Sequence, residues 1–63
     1  MEITKLANVT ALRTYAIEKD LAEAVSQLVS QALAEDLIPD HISFECSDDF
    51  MQTGEYHIVL WAD

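Results

Sequence analysis

The chain has 63 residues, of which 51% are hydrophobic, and contains one glycine, one proline and one cysteine. This length fits a single domain over residues 1–63, and the composition excludes a disordered, low-complexity segment. Twelve acidic residues against three basic ones give a formal net charge of −9, which disfavours binding to nucleic acid or to anionic membranes.

The single Cys46 excludes an internal disulfide, which small secreted domains commonly need. The chain does not start with a basic segment followed by an apolar one, and it contains no apolar run long enough to span a bilayer. We therefore expect a cytoplasmic protein that has no contact with a membrane.

The first predicted element is a β-strand over residues 12–17, where Thr14, Tyr15 and Ile17 favour extended structure. A helical stripe through Val9, Leu12 and Ala16 is the alternative for this segment. Residues 1–8 receive no assignment.

A helix is predicted from about Asp20 to Leu37. Its apolar residues recur at the i, i+3, i+4 spacing of one stripe: Leu21, Ala24, Val25, Leu28, Ala32 and Leu33. Asp20 and Glu23 fit the N-cap and its capping-box partner, and Pro39 disfavours helical geometry at Ile38.

A β-hairpin follows the helix. Residues 42–46 alternate between apolar and polar side chains, residues 56–62 form a denser apolar strand, and a polar loop joins them over residues 47–55. Pairing Phe44 with Ile58, and Ile42 with Leu60, keeps one face of the hairpin apolar.

These elements predict an α+β domain of β-α-β-β order, in which one amphipathic helix packs on a three-stranded sheet. The C-terminal strand is placed in the centre because it is apolar on both faces. The face opposite the helix then carries Val59 and Trp61. Three outcomes are open for it: a cover formed by residues 1–8 through Ile3 and Leu6, an exposed interface for a partner, or a homodimer.

The acidic residues divide between the two ends of this predicted fold. All three basic residues lie in the first nineteen, whereas residues 20–63 contain ten acids and no Lys or Arg. The helix N-terminus and the hairpin loop collect Asp20, Glu23, Asp48, Asp49 and Glu55, which we call the near pole. The helix C-terminus and the chain end collect Glu35, Asp36, Asp40 and Asp63, which we call the far pole. Glu45 lies between them on the outward sheet face.

No pattern in the chain indicates catalysis or a bound metal. Zinc needs about four convergent ligands, and the predicted register points Cys46 inward and His57 outward. The chain has no phosphate-binding loop, no nucleophile elbow and no dinucleotide fingerprint. We expect neither enzymatic activity nor a cofactor, and we expect Cys46 to be a small buried apolar residue.

The uncompensated acids favour a protein whose partner is basic. In length, acidity and lack of catalytic motifs, the chain resembles the small phage-encoded inhibitors of host defence, including the anti-CRISPR proteins, and the acids from Asp20 to Asp63 carry the resemblance. It implies a nucleic-acid mimic that occupies a basic groove on a host protein or CRISPR effector, in the bacterial cytoplasm, without binding nucleic acid itself. The alternative is a small adaptor or antitoxin-like subunit that binds, or self-associates, through the Val59/Trp61 face.

The predicted contact residues are acids with no evident structural use. Glu35 and Asp36 lie at the negative end of the helix dipole, where a carboxylate is unfavourable. The full predicted set is Glu35, Asp36 and Asp40 at the far pole and Asp48, Asp49 and Glu55 at the near pole.

Overall fold

The computed structural model describes residues 2–6 and 9–63, with the backbone alone at residues 2 and 4–6. The chain forms strand β1 (Glu2–Leu6), strand β2 (Val9–Ile17), a 3-10 turn (Glu18–Asp20), helix α1 (Leu21–Ala34), strand β3 (Pro39–Cys46), the short helix α2 (Phe50–Thr53) and strand β4 (Glu55–Ala62).

The strands form one sheet of order β1-β2-β4-β3, in which every neighbouring pair is antiparallel. Since β2 and β3 both flank β4, they run parallel to each other and are joined through α1. The predicted β-α-β-β order with a central C-terminal strand is confirmed, and residues 12–17 are a strand and not a helix. The sheet has four strands where three were predicted, because β1 adds to the outer edge of β2 and places Ile3 opposite Leu12.

The predicted hairpin register is also confirmed. Phe44 pairs with Ile58 and Ile42 with Leu60. A shift of one residue would turn the apolar set of each strand towards the wrong face, so burial of one face determines the register.

The core lies between α1 and the two central strands β2 and β4. Its fully buried large side chains are Leu12, Leu28, Ile58 and Leu60. On the helix, Ala24 and Ala32 are buried with Leu28 as the predicted stripe requires.

Leu33 was predicted to complete the buried stripe, and this is wrong. Its side chain is 59% exposed, and Val29 packs against the core instead. The helix rests mainly on β2 and β4 and less on the edge strand β3. Positions on the outer flank of its last turn therefore have no sheet beneath them.

Helix α1 begins differently from the prediction. Asp20 occupies the N-cap, but its side chain makes no capping hydrogen bond, so the predicted capping box with Glu23 is wrong. The preceding 3-10 turn gives Asp20 a φ of −105° and a ψ of 5°. A capping side chain usually comes from an extended residue, and Asp20 does not have that geometry.

The helix also ends three residues earlier than predicted, in a Schellman motif. The Asp36 amide donates to the carbonyl of Leu33 (3.1 Å), and the Leu37 amide donates to that of Ala32 (2.9 Å). Asp36 is in the left-handed conformation with a φ of 60°. This backbone reversal, and not Pro39, terminates the helix and turns Leu37 back onto the core.

Cys46 is exposed, contrary to the buried position predicted for it. It ends the edge strand β3, which α1 contacts less than it contacts β2 and β4. Phe44 on the same face is 51% exposed for the same reason. The loop that follows was predicted to be irregular but contains α2, whose Phe50 ring packs edge-on against Tyr56 at 5.0 Å between ring centroids.

Candidate acidic interface

The near-pole acids surround two adjoining hollows at the end of the sheet where α1 begins. One is an open groove of about 440 Å³ between β2 and α1, and the other is a smaller hollow of about 250 Å³ beside the β3–β4 loop. Asp20, Glu23 and Glu55 line the first, while Asp48, Asp49 and Glu55 line the second. The structure thus brings together all five acids that the sequence assigned to this pole.

Tyr15, like Glu55, lines both hollows. It is 55% exposed and stacks on His57, with 4.8 Å between ring centroids. Sequence reasoning treated Tyr15 only as a strand-forming residue. No register between β2 and β4 was predicted, and it is this register that places Tyr15 directly opposite His57.

The near-pole carboxylates are accessible to solvent and have no hydrogen-bond or ion-pair partner among the described residues. Asp20, Glu23, Asp48 and Asp49 are exposed, and Glu55 is half-buried. Among the described residues, none of these side chains accepts a hydrogen bond or contacts a Lys or Arg within 4 Å. The oxygens of these carboxylates therefore remain available as hydrogen-bond acceptors for an incoming cation.

The far-pole acids also lie together. The backbones of Ile38 and Asp63 exchange two hydrogen bonds of 3.1 and 3.0 Å, which joins the chain end to the segment that follows α1. Glu35 and Asp36 precede that segment, and Asp40 comes directly after it.

Three of the far-pole acids have a local structural use, which the sequence did not reveal. Asp36 occupies the left-handed position of the Schellman motif. Glu35 accepts a hydrogen bond from Gln31 Nε2 at 3.1 Å, and Asp40 Oδ2 lies 2.9 Å from His41 Nδ1. The expectation that Glu35 and Asp36 serve no structural purpose is therefore wrong.

The two poles lie at opposite ends of the strand direction. β4 has eight residues, so at roughly 3.4 Å per residue it separates them by about 27 Å. The molecule measures 35 × 21 × 16 Å. Its long axis is therefore close to one turn of duplex DNA, which is about 34–36 Å.

The sheet face opposite α1 is largely covered by its own side chains. Val59 is only 6% exposed, and Trp61 is half-buried against the ring of His41, with 5.9 Å between centroids. Residues 2–6 lie in the sheet as an edge strand and do not cross this face. No broad apolar surface is therefore open around Val59 in the described part of the chain.

Two further properties bear on the kind of site this is. Within residues 2–6 and 9–63, no three His, Cys, Asp or Glu side chains are placed to hold a metal ion. In the same residues, neither helix has the length and apolar character needed to cross a bilayer.

Comparison of the chain with protein-family models, with curated proteins and with solved structures finds no match.

Proposed function

We propose that this protein is an inhibitor that presents its acidic surface to a basic, nucleic-acid-binding groove on a host protein or CRISPR effector and so blocks DNA recognition. It would act in the cytoplasm of a bacterial host, without a cofactor and without catalysing a reaction. It would not bind nucleic acid itself, because its charge has the same sign as that of phosphate.

The observation that supports this proposal best is that the ten acids from Asp20 to Asp63 are accessible and have no Lys or Arg beside them among the described side chains. All of them are exposed except the half-buried Glu55. No carboxylate among the described side chains is within 4 Å of a Lys or Arg, and the only ion-pair contact is between His41 and Asp40. An acidic surface without internal counter-charges attracts a basic partner over distances comparable to the Debye length, about 8 Å at physiological salt.

The near pole is the stronger candidate for the principal contact. Its acids line concave hollows, which could admit the long side chains of Lys or Arg from a partner. Asp48 and Asp49 make no internal side-chain hydrogen bond among the described residues, whereas Glu35 and Asp40 already have partners. Of the six predicted contact residues, Asp48, Asp49 and Glu55 therefore rank ahead of Glu35, Asp36 and Asp40.

Competition with DNA tests the proposal directly. A fluorescent target duplex is bound to a panel of basic DNA-binding proteins that includes guide-loaded CRISPR effectors, and the acidic protein is titrated in. We expect it to displace the duplex from at least one of them, with a potency that falls steeply as salt rises. A panel in which no duplex is displaced, even at low salt, would contradict the proposal for those targets.

Two charge-matched variants locate the contact. Asp48→Lys with Asp49→Lys alters the near pole, and Glu35→Lys with Asp40→Lys alters the far pole. Each pair changes the net charge by +4, from −9 to −5, so a difference between them reports position and not total charge. We expect the near-pole pair to weaken inhibition at least tenfold, or by about 1.4 kcal/mol, chiefly by slowing association.

Asp36 is left unchanged in this design, because a lysine in the left-handed conformation would strain the backbone. Folding of each variant is checked by circular dichroism. If both pairs stay folded and inhibit as well as the wild type, the acidic poles are not the contact, and the Val59/Trp61 face of the alternative adaptor function becomes the surface to test.

A further inference from the structure

The free edge of strand β3 carries a pattern that is complementary to itself. We infer that two copies of this chain pair antiparallel through β3, with a two-fold axis at Ser43, and form a continuous eight-stranded sheet. The β3 edge is a different surface from the acidic poles, and two copies can pair through it whatever partner the poles bind.

The alternating direction of backbone hydrogen bonds along β3 shows which of its N–H and C=O groups point away from β4. The Ser47 amide donates to the Glu55 carbonyl at 3.1 Å, so Ser47 directs its N–H towards β4. In an antiparallel ladder this direction alternates from one residue to the next. Ser43 and Glu45 therefore also face β4, whereas Ile42 and Phe44 direct their N–H and C=O groups outward.

These outward groups have no strand to pair with in the described part of the chain, because β3 ends the sheet order β1-β2-β4-β3. An edge of this kind is a template for pairing with another strand unless charge, a bulge or proline blocks it. Pro39 and the register shift between Pro39 and His41 interrupt only its first part. Residues 41–46 remain a regular, open edge.

Antiparallel pairing about Ser43 gives the outward backbone groups hydrogen-bond partners and sets apolar side chains against apolar side chains. Ile42 of one copy faces Phe44 of the other, and each such pair exchanges two backbone hydrogen bonds. Ser43 faces its own copy across the axis. Phe44, which is 51% exposed in the single chain, gains an apolar partner on the helix side of the sheet.

The same register matches charges on the opposite face. His41 and Glu45 lie on that face, opposite Trp61 and His57 respectively. Pairing about Ser43 places His41 of each copy against Glu45 of the other, twice by symmetry. His41 Nδ1 contacts Asp40 Oδ2 at 2.9 Å, so Nε2 donates to the Glu45 carboxylate of the second copy only when the ring carries both protons, as an imidazolium. Opposite-charge and apolar cross-strand pairs both stabilise a sheet.

Neighbouring registers lack this match. An axis at Phe44 would set Glu45 against Ser43 and His41 against Ser47. An axis at Ile42 would set Phe44 against Asp40, where the strand register shifts. An axis at Phe44 would also pair apolar side chains, Phe44 with itself and Ile42 with Cys46, but Ser43 is the axis that pairs His41 with Glu45 as well, and a two-fold interface needs such self-complementarity.

The dimer should be weak and should tighten with salt. One strand edge is small compared with the roughly 800 Å² per partner of a stable interface, and each copy carries a net charge of −9. Salt screens this repulsion between the copies. The expected response is opposite to that of the acidic contact with a basic partner, which salt weakens, so the two interactions can be distinguished and can fail separately.

Sedimentation velocity over a concentration series is the first measurement, with Phe44→Thr as the test variant and Met51→Thr as its control. Both positions carry exposed apolar side chains, and Met51, which is 95% exposed, lies in α2 and not in β3. We expect a monomer–dimer equilibrium that Phe44→Thr weakens at least tenfold and Met51→Thr leaves unchanged. A chain that is monomeric up to millimolar concentration, or a dimer that Phe44→Thr does not weaken, would overturn the inference.

Disulfide trapping then tests the register. In a Cys46→Ser background, Ser43→Cys places two thiols at the axis, where Cα atoms of a non-hydrogen-bonded pair are about 4.5 Å apart, within disulfide range. Ser30→Cys on the exposed surface of α1 controls for random collision. With oxidised glutathione as the oxidant, we expect Ser43→Cys to form covalent dimers at least tenfold faster than Ser30→Cys. Equal rates would exclude an axis at Ser43.

Discussion

At the residue scale, Asp36 shows how an acid that looks like a functional anomaly can have a structural role. It lies at the negative end of α1, and its φ of 60° makes it the left-handed residue of the Schellman motif. Aspartate tolerates this conformation better than most residues because its short side chain can interact locally with the backbone. Asp36 is therefore explained by the way α1 ends, whereas Asp48 occupies no such position and Asp49, at the N-cap of α2, makes no capping hydrogen bond with its side chain.

Replacing Asp36 with glycine should stabilise the fold. Glycine adopts the left-handed conformation without the steric cost of a Cβ atom, and the change removes a carboxylate from the helix C-terminus. After the larger entropy loss of glycine is subtracted, we expect the free energy of unfolding to rise by about 0.5 kcal/mol or more. Asp36→Ala is the control, because it removes the charge and keeps the strain. Urea unfolding that ranks Asp36→Ala at or above Asp36→Gly would contradict the prediction.

Cys46→Ser should have little effect on stability. The sequence predicted a buried thiol, for which a hydroxyl would be costly, but the structure places Cys46 on the exposed end of an edge strand. Exposed substitutions of this kind usually change the free energy of unfolding by less than about 0.5 kcal/mol. A shift in the urea midpoint equivalent to more than 1 kcal/mol would mean that the thiol is packed after all.

At the element scale, the contrast between Leu28 and Leu33 shows which face of α1 holds the fold together. Both fit the apolar stripe, but Leu28 is 0% exposed and Leu33 is 59% exposed. Leu28→Ala should lower the free energy of unfolding by about 3 kcal/mol, since it removes buried methyl groups and leaves a cavity. Leu33→Ala should change it by less than about 0.5 kcal/mol. Thermal unfolding followed by circular dichroism measures both, and equal losses would show that the helix is rotated about its axis.

The elements that could be predicted from the sequence are those whose pattern is repeated over many residues. The hairpin register followed from alternation, because pairing Phe44 with Ile58 is the arrangement that keeps one face apolar. Strand β1 could not be predicted in the same way, since Ile3 and Leu6 do not alternate and an edge strand needs mainly a neighbouring backbone. The end of α1 was misplaced because a left-handed aspartate, unlike a glycine, gives little signal in a sequence.

The acidic interface, too, could be predicted only in part. Topology alone brought the near-pole acids together, because a helix N-terminus and a returning hairpin loop must meet at the same end of the sheet. The side-chain partners that distinguish one pole from the other depend on rotamers and on cross-strand neighbours. The hydrogen bond from Gln31 to Glu35 and the position of Tyr15 beside both hollows therefore required the structure.

At the scale of the whole molecule, the dominant physical fact is a net charge of −9 on a body of 35 × 21 × 16 Å. At about 0.01 M salt the Debye length is roughly 30 Å, so nearly all of the carboxylates repel one another. At about 1 M salt it is roughly 3 Å, and only immediate neighbours interact. This self-repulsion disfavours the compact state, in which the charges are closest together.

The fold should therefore become more stable as sodium chloride is added, and the charge variants should reduce that response. We expect the free energy of unfolding of the wild-type chain in urea to rise by about 1 kcal/mol or more between low and high salt, because screening removes the repulsion. Asp48→Lys with Asp49→Lys, at a net charge of −5, should gain less from salt and be more stable than the wild type at low salt. Urea is uncharged, so it does not screen the charges as guanidinium chloride would.

If the wild type and the double variant respond equally to salt, the near-pole carboxylates do not repel their neighbours appreciably. If instead the variant is more stable at low salt and inhibits poorly, stability and binding make opposite demands on the same acids, as expected of charges retained for a partner and not for the fold.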